Sequence, residues 1–172
     1  VMAPFARRVA ISGSHGKTTT TAMVTGILEA AGCDPTALVG GKLKGSQSGA
    51  RVGKGDVFVA EADESDRSFL KLHPTLSLVT NVDREHLDTY KDMADVTSTF
   101  TAFAMGVPAD GKSVLCADDP IAFGIAKGAG ERAVTYGFSE GSVVRGALAI
   151  QAGGYPRVTG EGPSGSFDFT LS

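Results

Sequence analysis

The stretch that most restricts what this chain can become is residues 9–21, VAISGSHGKTTTT, where an apolar run stops at a glycine-bearing loop and a helix opens behind it. Val9, Ala10 and Ile11 read as a buried strand. Gly13 and Gly16 let backbone N–H groups approach a ligand, and Lys17 with Thr18 begins the helix. N–H groups at a helix start have no partner inside the helix and lie at the positive end of its dipole, so they favour a polyphosphate. Lys17 adds a mobile positive charge, and the Thr18 hydroxyl is of a type that ligates Mg²⁺. The loop is shorter than the G-x-x-x-x-G-K-S/T pattern, which would place glycine where Ile11 stands. The competing reading is a strand-to-helix turn with an incidental lysine. The order of strand, glycines, Lys-Thr and helix favours a nucleotide site, with Gly13, Ser14, His15, Gly16, Lys17, Thr18 and Thr19 as its binding residues. For His15 two roles stay open, a hydrogen bond to a neighbouring carbonyl or contact with the ligand.

Downstream, residues 18–31 are expected to be helical, with Met23, Ile27, Leu28 and Ala31 as the buried stripe and Gly32 as the stop. Four consecutive threonines form helix poorly, a local conflict of the kind found at functional sites. Residues 36–39 predict a short strand. The glycine-rich segment 40–55 has no periodicity and reads as a loop, whose Lys42, Lys44 and Lys54 are expected to be solvated rather than to meet an anionic substrate.

Residues 56–60 predict a buried strand running into Glu61, with Asp63, Glu64 and Asp66 close behind. In a parallel sheet the C-terminal ends of strands open into the ligand crevice, which puts Glu61 beside the glycine loop. The other three acids fit a helix N-terminus. Residues 76–80 predict another buried strand that ends in NVDREHLD, where His86 and Asp88 are spaced as a metal ligand and its supporting carboxylate; a surface histidine is the alternative. A helix over 93–105 turns Val96, Phe100 and Phe103 inward. A strand over 113–116, a helix opened by Asp119 and Pro120 and running to about 127, and a strand over 133–138 continue the alternation. The expected fold is α/β: an open, mostly parallel sheet with helices on both faces. From residue 141 glycine-punctuated strands over 143–151, 157–159 and 167–171 predict a small antiparallel β appendage to the 7–140 core.

Sixteen basic against nineteen acidic residues leave a net charge of -3, which excludes a broad basic field for nucleic acid or an anionic membrane and makes any phosphate affinity local. Cys33 and Cys116 lack metal-ligand spacing and read as ordinary thiols. No apolar run approaches the roughly 18 residues of a membrane span, and no signal pattern opens the chain, so a soluble cytoplasmic protein is expected. Because Val1 is not a natural start, the chain is expected to be part of a longer one.

Together GSHGKTTTT, EADESDRSFL and TNVDREHLDTY, with VGG at 39–41, resemble the signatures of the Mur ligase family, and the similarity extends over nearly the whole chain. Ser14 stands where threonine is more usual. The resemblance implies a P-loop NTPase-like central ATP-binding domain spanning 1–172, with the sugar-nucleotide domain and the C-terminal domain outside it. It implies that Lys17 and the loop amides hold the β- and γ-phosphates, that Thr18 and Glu61 bind one Mg²⁺, and that His86 helps bind a second; Lys17, Glu61 and His86 are the implied catalytic residues. The similarity is greatest to members that activate the carboxylate of UDP-N-acetylmuramate as an acyl phosphate for attack by L-alanine in peptidoglycan precursor synthesis. Ser65 favours these over tripeptide-recycling ligases, where tyrosine is usual. A tripeptide-recycling ligase, a folylpolyglutamate synthetase-like ligase and a nucleotide-binding module without turnover remain alternatives, while the short loop and His86 argue against a P-loop kinase.

Overall fold

Through residue 137 the chain alternates strands with α-helices except over residues 36–79, where four strands follow one another, and all the strands join one sheet. The computed structural model describes residues 2–41, 48–86, 88–151 and 153–171. The elements are β1 Arg7–Ser12, α1 Lys17–Ala30, β2 Thr36–Leu38, β3 Ala50–Arg51, β4 Val57–Glu61, β5 Leu76–Val79, α2 Met93–Met105, β6 Lys112–Cys116, α3 Pro120–Ala129, β7 Ala133–Gly137, β8 Val144–Ile150, β9 Pro156–Gly162 and β10 Gly165–Thr170. They form a single ten-stranded sheet in the order β10-β9-β8-β7-β6-β5-β1-β4-β2-β3. Strands β2, β4, β1, β5, β6, β7 and β8 run parallel; the β2–β3, β8–β9 and β9–β10 pairs are antiparallel.

Side chains on a strand alternate between faces, and both faces are apolar in the middle of this sheet. Val9 and Ile11 of β1, with Val57 and Val59 of β4, pack under Ala22, Val24 and Leu28 of α1. Ala10 points the other way, into a core of Phe69, Val96, Phe100, Phe103, Leu115, Ala122 and Ile125 beneath α2 and α3. The Phe69 ring stacks on Phe103 at 4.8 Å and meets Phe100 edge-on at 5.6 Å. Asp92 and Asp119 cap α2 and α3 by accepting the backbone N–H groups of Asp95 and Ala122. Helices therefore cover both faces, as the alternation of elements predicts.

In this part of the structure two expectations fail. Of the stripe assigned to α1, Leu28 alone reaches the core; Met23 is 42% exposed, Ile27 66%, and Ala31 is exposed. Thr21 and Thr25 are buried instead, their hydroxyls donating to the carbonyls of Lys17 at 2.8 Å and Thr21 at 2.7 Å. A threonine that satisfies its hydroxyl on the preceding turn can present its methyl to a core, so apolar periodicity misjudged the helix phase. The segment read as a loop contains β3, whose Ala50 and Arg51 pair with Leu38 and Ala37; Lys54 is exposed, and Lys42 and Lys44 lie outside the described residues. The antiparallel part expected after residue 141 is present, and it is continuous with the main sheet, because β8 pairs in parallel with β7 through Tyr136–Val144 and Gly137–Arg145.

The two readings of α1 separate on substitution. Phe100→Ala, at a site with 0% exposure, is expected to lower unfolding free energy by about 3–5 kcal/mol, whereas Ile27→Ala changes it by less than about 0.5 kcal/mol in urea denaturation. A loss above 1 kcal/mol at Ile27 would restore the apolar stripe.

Candidate functional site

Strand β1 lies between β4 and β5, all parallel, with Ile11 opposite Glu61 on one side and Leu78 on the other. Three C-terminal strand ends therefore open at one edge, as strand ends do in parallel sheets that bind ligands. From β1 the chain turns through Gly13 to Gly16 into α1. Gly13 has φ +136° and Gly16 +83°, backbone that favours glycine. At Gly13 an added Cβ would collide with the Thr80 hydroxyl, while Gly16 has open space.

The loop is stapled to the segment following β5. Asn81 takes the Ser14 N–H on its carbonyl at 3.1 Å and the His15 N–H on its side-chain oxygen at 2.8 Å. The Thr80 hydroxyl and the Asn81 amide both donate to the His15 carbonyl, and the Asp83 N–H donates to the Ser14 hydroxyl at 2.8 Å. Ser14 and His15 thus spend their N–H groups within the protein. The His15 imidazole is 64% exposed and lies 3.6 Å from Glu85 and 3.9 Å from Asp83. Helix α1 has no side-chain cap and no acid in its first turn, and its first intrahelical bond runs from the Thr20 N–H to the Gly16 carbonyl. Among the described residues the N–H groups of Lys17, Thr18 and Thr19 carry no acceptor. That set of donors, at the positive end of a helix, can meet an anion. Thr19 itself is exposed.

Oxygen ligands stand next to it. The Thr18 hydroxyl donates to Glu61 Oε1 at 3.0 Å, and the Gly40 N–H donates to Oε2 at 2.6 Å. A Cβ at Gly40 would fall 2.8 Å from that carboxylate, which accounts for glycine in the VGG stretch. A hydroxyl beside a carboxylate is a donor set suited to a hard divalent cation.

Glu64 was assigned to a helix N-terminus, and the structure corrects this. Only a short 3₁₀ turn, Ser68–Lys71, follows the acids. Asp63 accepts the Ser65 N–H, and Asp66 is held by the Ser68 hydroxyl and then its N–H, which keeps both carboxyls below their usual range. Glu64 is 2% exposed and accepts the Lys17 ammonium at 2.9 Å; that ammonium also donates to the Gly13 carbonyl at 2.7 Å. His86, with φ +55°, brings Nε2 to 3.4 Å from the same Glu64 oxygen. Ligand atoms of Asp63, Glu64 and His86 lie within 4.8 Å of one another. Asp88, expected behind His86, is exposed and makes no hydrogen bond to it among the described residues. Tyr90 donates to the Glu64 carbonyl at 2.6 Å, and burial pushes its hydroxyl up to about 12, so it remains a donor over the ordinary pH range. Glu64 and Asn81 are the participants that motif reading missed. Their only sequence signal was proximity to a strand end.

A family model described as the Mur ligase middle domain matches residues 11–155. The chain is 51% identical over 129 residues to the UDP-N-acetylmuramate–L-alanine ligase of Syntrophus aciditrophicus, covering 75% of this chain and 27% of that one. With the enzyme of the same name from Myxococcus xanthus it is 52% identical over 131 residues, 76% of this chain and 28% of that one. This chain thus spans under a third of the length of these relatives. The solved UDP-N-acetylmuramate–alanine ligase of Thermotoga maritima superposes with a TM-score of 0.77 at 25% identity, over 96% of this chain and 36% of that chain. The ligase MurF of the same organism, in complex with ADP, shares the fold with a TM-score of 0.76 at 20% identity, over 98% of this chain and 41% of its own. Among the described residues no helix is long and apolar enough to cross a membrane.

The two loop glycines give a test of the geometry. Gly13→Ala is expected to lower unfolding free energy by about 3–5 kcal/mol through strain and collision with Thr80. Gly16→Ala, which meets only the left-handed backbone penalty, costs about 1 kcal/mol in the same denaturation measurement.

Proposed function

The chain belongs to the Mur ligase family, and from that membership we propose that it is the ATP-binding middle domain of a ligase that joins L-alanine to UDP-N-acetylmuramate in peptidoglycan precursor synthesis. The observation that carries the reading is the uncapped start of α1 beside the Thr18–Glu61 pair, with identity near 50% to curated L-alanine ligases naming the reaction. Those relatives extend far beyond the matched region, so we assign contacts with the sugar nucleotide and the amino acid largely to parts of such a protein outside these residues.

A carboxylate acylates an amine poorly until it carries a leaving group, and phosphoryl transfer from ATP supplies one as an acyl phosphate. Such transfer depends on position and charge neutralisation more than on covalent help. The N–H groups of Lys17, Thr18 and Thr19 would receive phosphate oxygens, and the Lys17 ammonium would offset charge on the transferred group. Gly13 and Gly16 shape the loop, while Ser14 and His15 support it through Asn81. Thr18 and Glu61 would hold one Mg²⁺, and His86 would help hold a second. When bound, these ions would neutralise phosphate charge and orient the oxygens.

Phosphate release by the full-length protein with ATP and Mg²⁺ tests the reading, with UDP-N-acetylmuramate and then L-alanine, glycine or the cell-wall tripeptide added separately. Release is expected to require both the sugar nucleotide and L-alanine. Dependence on the tripeptide would reassign the acceptor, and indifference to the sugar nucleotide would leave a generic ATPase. Lys17→Ala is expected to reduce kcat/KM by about a hundredfold or more, with the far-UV circular dichroism spectrum retained.

A further inference from the structure

We propose that Glu64 is a positioning residue for Lys17, holding its ammonium at the loop edge so that it meets phosphate oxygens in one orientation. This rests on the reading that Lys17 serves a bound polyphosphate. Three observations favour it over an ordinary structural ion pair.

First, the carboxylate is 2% exposed, yet its Oε2 has no hydrogen-bond partner among the described residues. A pair retained for stability would satisfy both oxygens, because a buried charge left half-paired is costly. Second, Oε1 is shared: Lys17 Nζ lies at 2.9 Å and His86 Nε2 at 3.4 Å. Glu64 thereby links the loop after β1 to the segment after β5. Third, Glu64 is itself clamped. Its carbonyl accepts the Tyr90 hydroxyl at 2.6 Å and the Arg67 N–H at 3.1 Å, and the Thr89 hydroxyl donates to the next carbonyl, that of Ser65, at 2.6 Å. Such fixed support is what a positioned charge needs.

The consequence is a division between binding and turnover. Glu64 competes with phosphate oxygens for the ammonium in the ground state, and it fixes the ammonium's direction. Glu64→Gln keeps the shape and removes the charge. Nucleotide affinity is then expected to hold or rise, while turnover falls because the ammonium is no longer oriented.

The test uses the full-length protein. Binding of AMP-PNP with Mg²⁺ is measured by calorimetry, and kcat by phosphate release with ATP, UDP-N-acetylmuramate and L-alanine. Glu64→Gln is expected to bind AMP-PNP at least as tightly as the parent while kcat falls at least tenfold. Weaker binding, with or without a lower melting temperature, overturns the proposal, as does a kcat within tenfold of the parent. Should that variant not fold, Tyr90→Phe removes only the hydroxyl that clamps Glu64. It is expected to lower kcat at least threefold at unchanged affinity, and a smaller effect overturns the proposal. Lys17→Ala distinguishes the two readings: normal AMP-PNP binding and turnover in that variant would sink the phosphate assignment itself, whatever Glu64 does.

Discussion

The arrangement depends on β1 being hydrogen-bonded on both edges by parallel strands. Its partners, β4 and β5, arrive from distant parts of the chain, yet the register with each delivers Glu61 and the Thr80–Asn81 turn to the end of β1. A parallel sheet points every strand the same way, so pairing alone gathers the three strand ends. The apolar alternation of β1 secures it from both faces: Val9 and Ile11 lie under α1, while Ala10 faces α2 and α3. Stability and site geometry share one set of contacts.

At that edge the backbone hydrogen-bond inventory separates scaffold from open donors. Asn81 consumes the N–H groups of Ser14 and His15, which pins the loop, and Gly16 turns the chain so that the start of α1 is left uncapped. Positive charge is supplied locally, by a helix start and one lysine, in a chain whose net charge is -3. The lysine is paired with a buried carboxylate and two loop carbonyls, so its ammonium is held in a fixed place. Preorganisation of this kind is how fixed charges act effectively on phosphate.

The parallel core was legible because its signals are local. Apolar runs of four or five residues, Asp119-Pro120 at a helix start and Gly32 at a helix end each carry their meaning within a few positions. Helix α2 reads directly from its spacing, with Val96, Phe100 and Phe103 all buried. The strand-end placement of Glu61 followed from the same logic. The α1 stripe failed because a threonine's hydroxyl can be satisfied on its own helix, an option that hydrophobic periodicity does not count. Glu64 failed because four acids within six residues look alike until one of them is buried.

By itself, then, the sequence determined the strands and helices of the parallel core, the glycine loop before a helix, and the family whose motifs these are. It did so because each rests on neighbours within a turn or a strand. The tertiary structure alone decided which face of α1 is buried, that the strands after residue 141 extend the main sheet, and that Lys17, Glu64 and His86 meet. Those are contacts between residues far apart along the chain. Their energies depend on how strand register and helix packing orient each side chain, which no local pattern encodes.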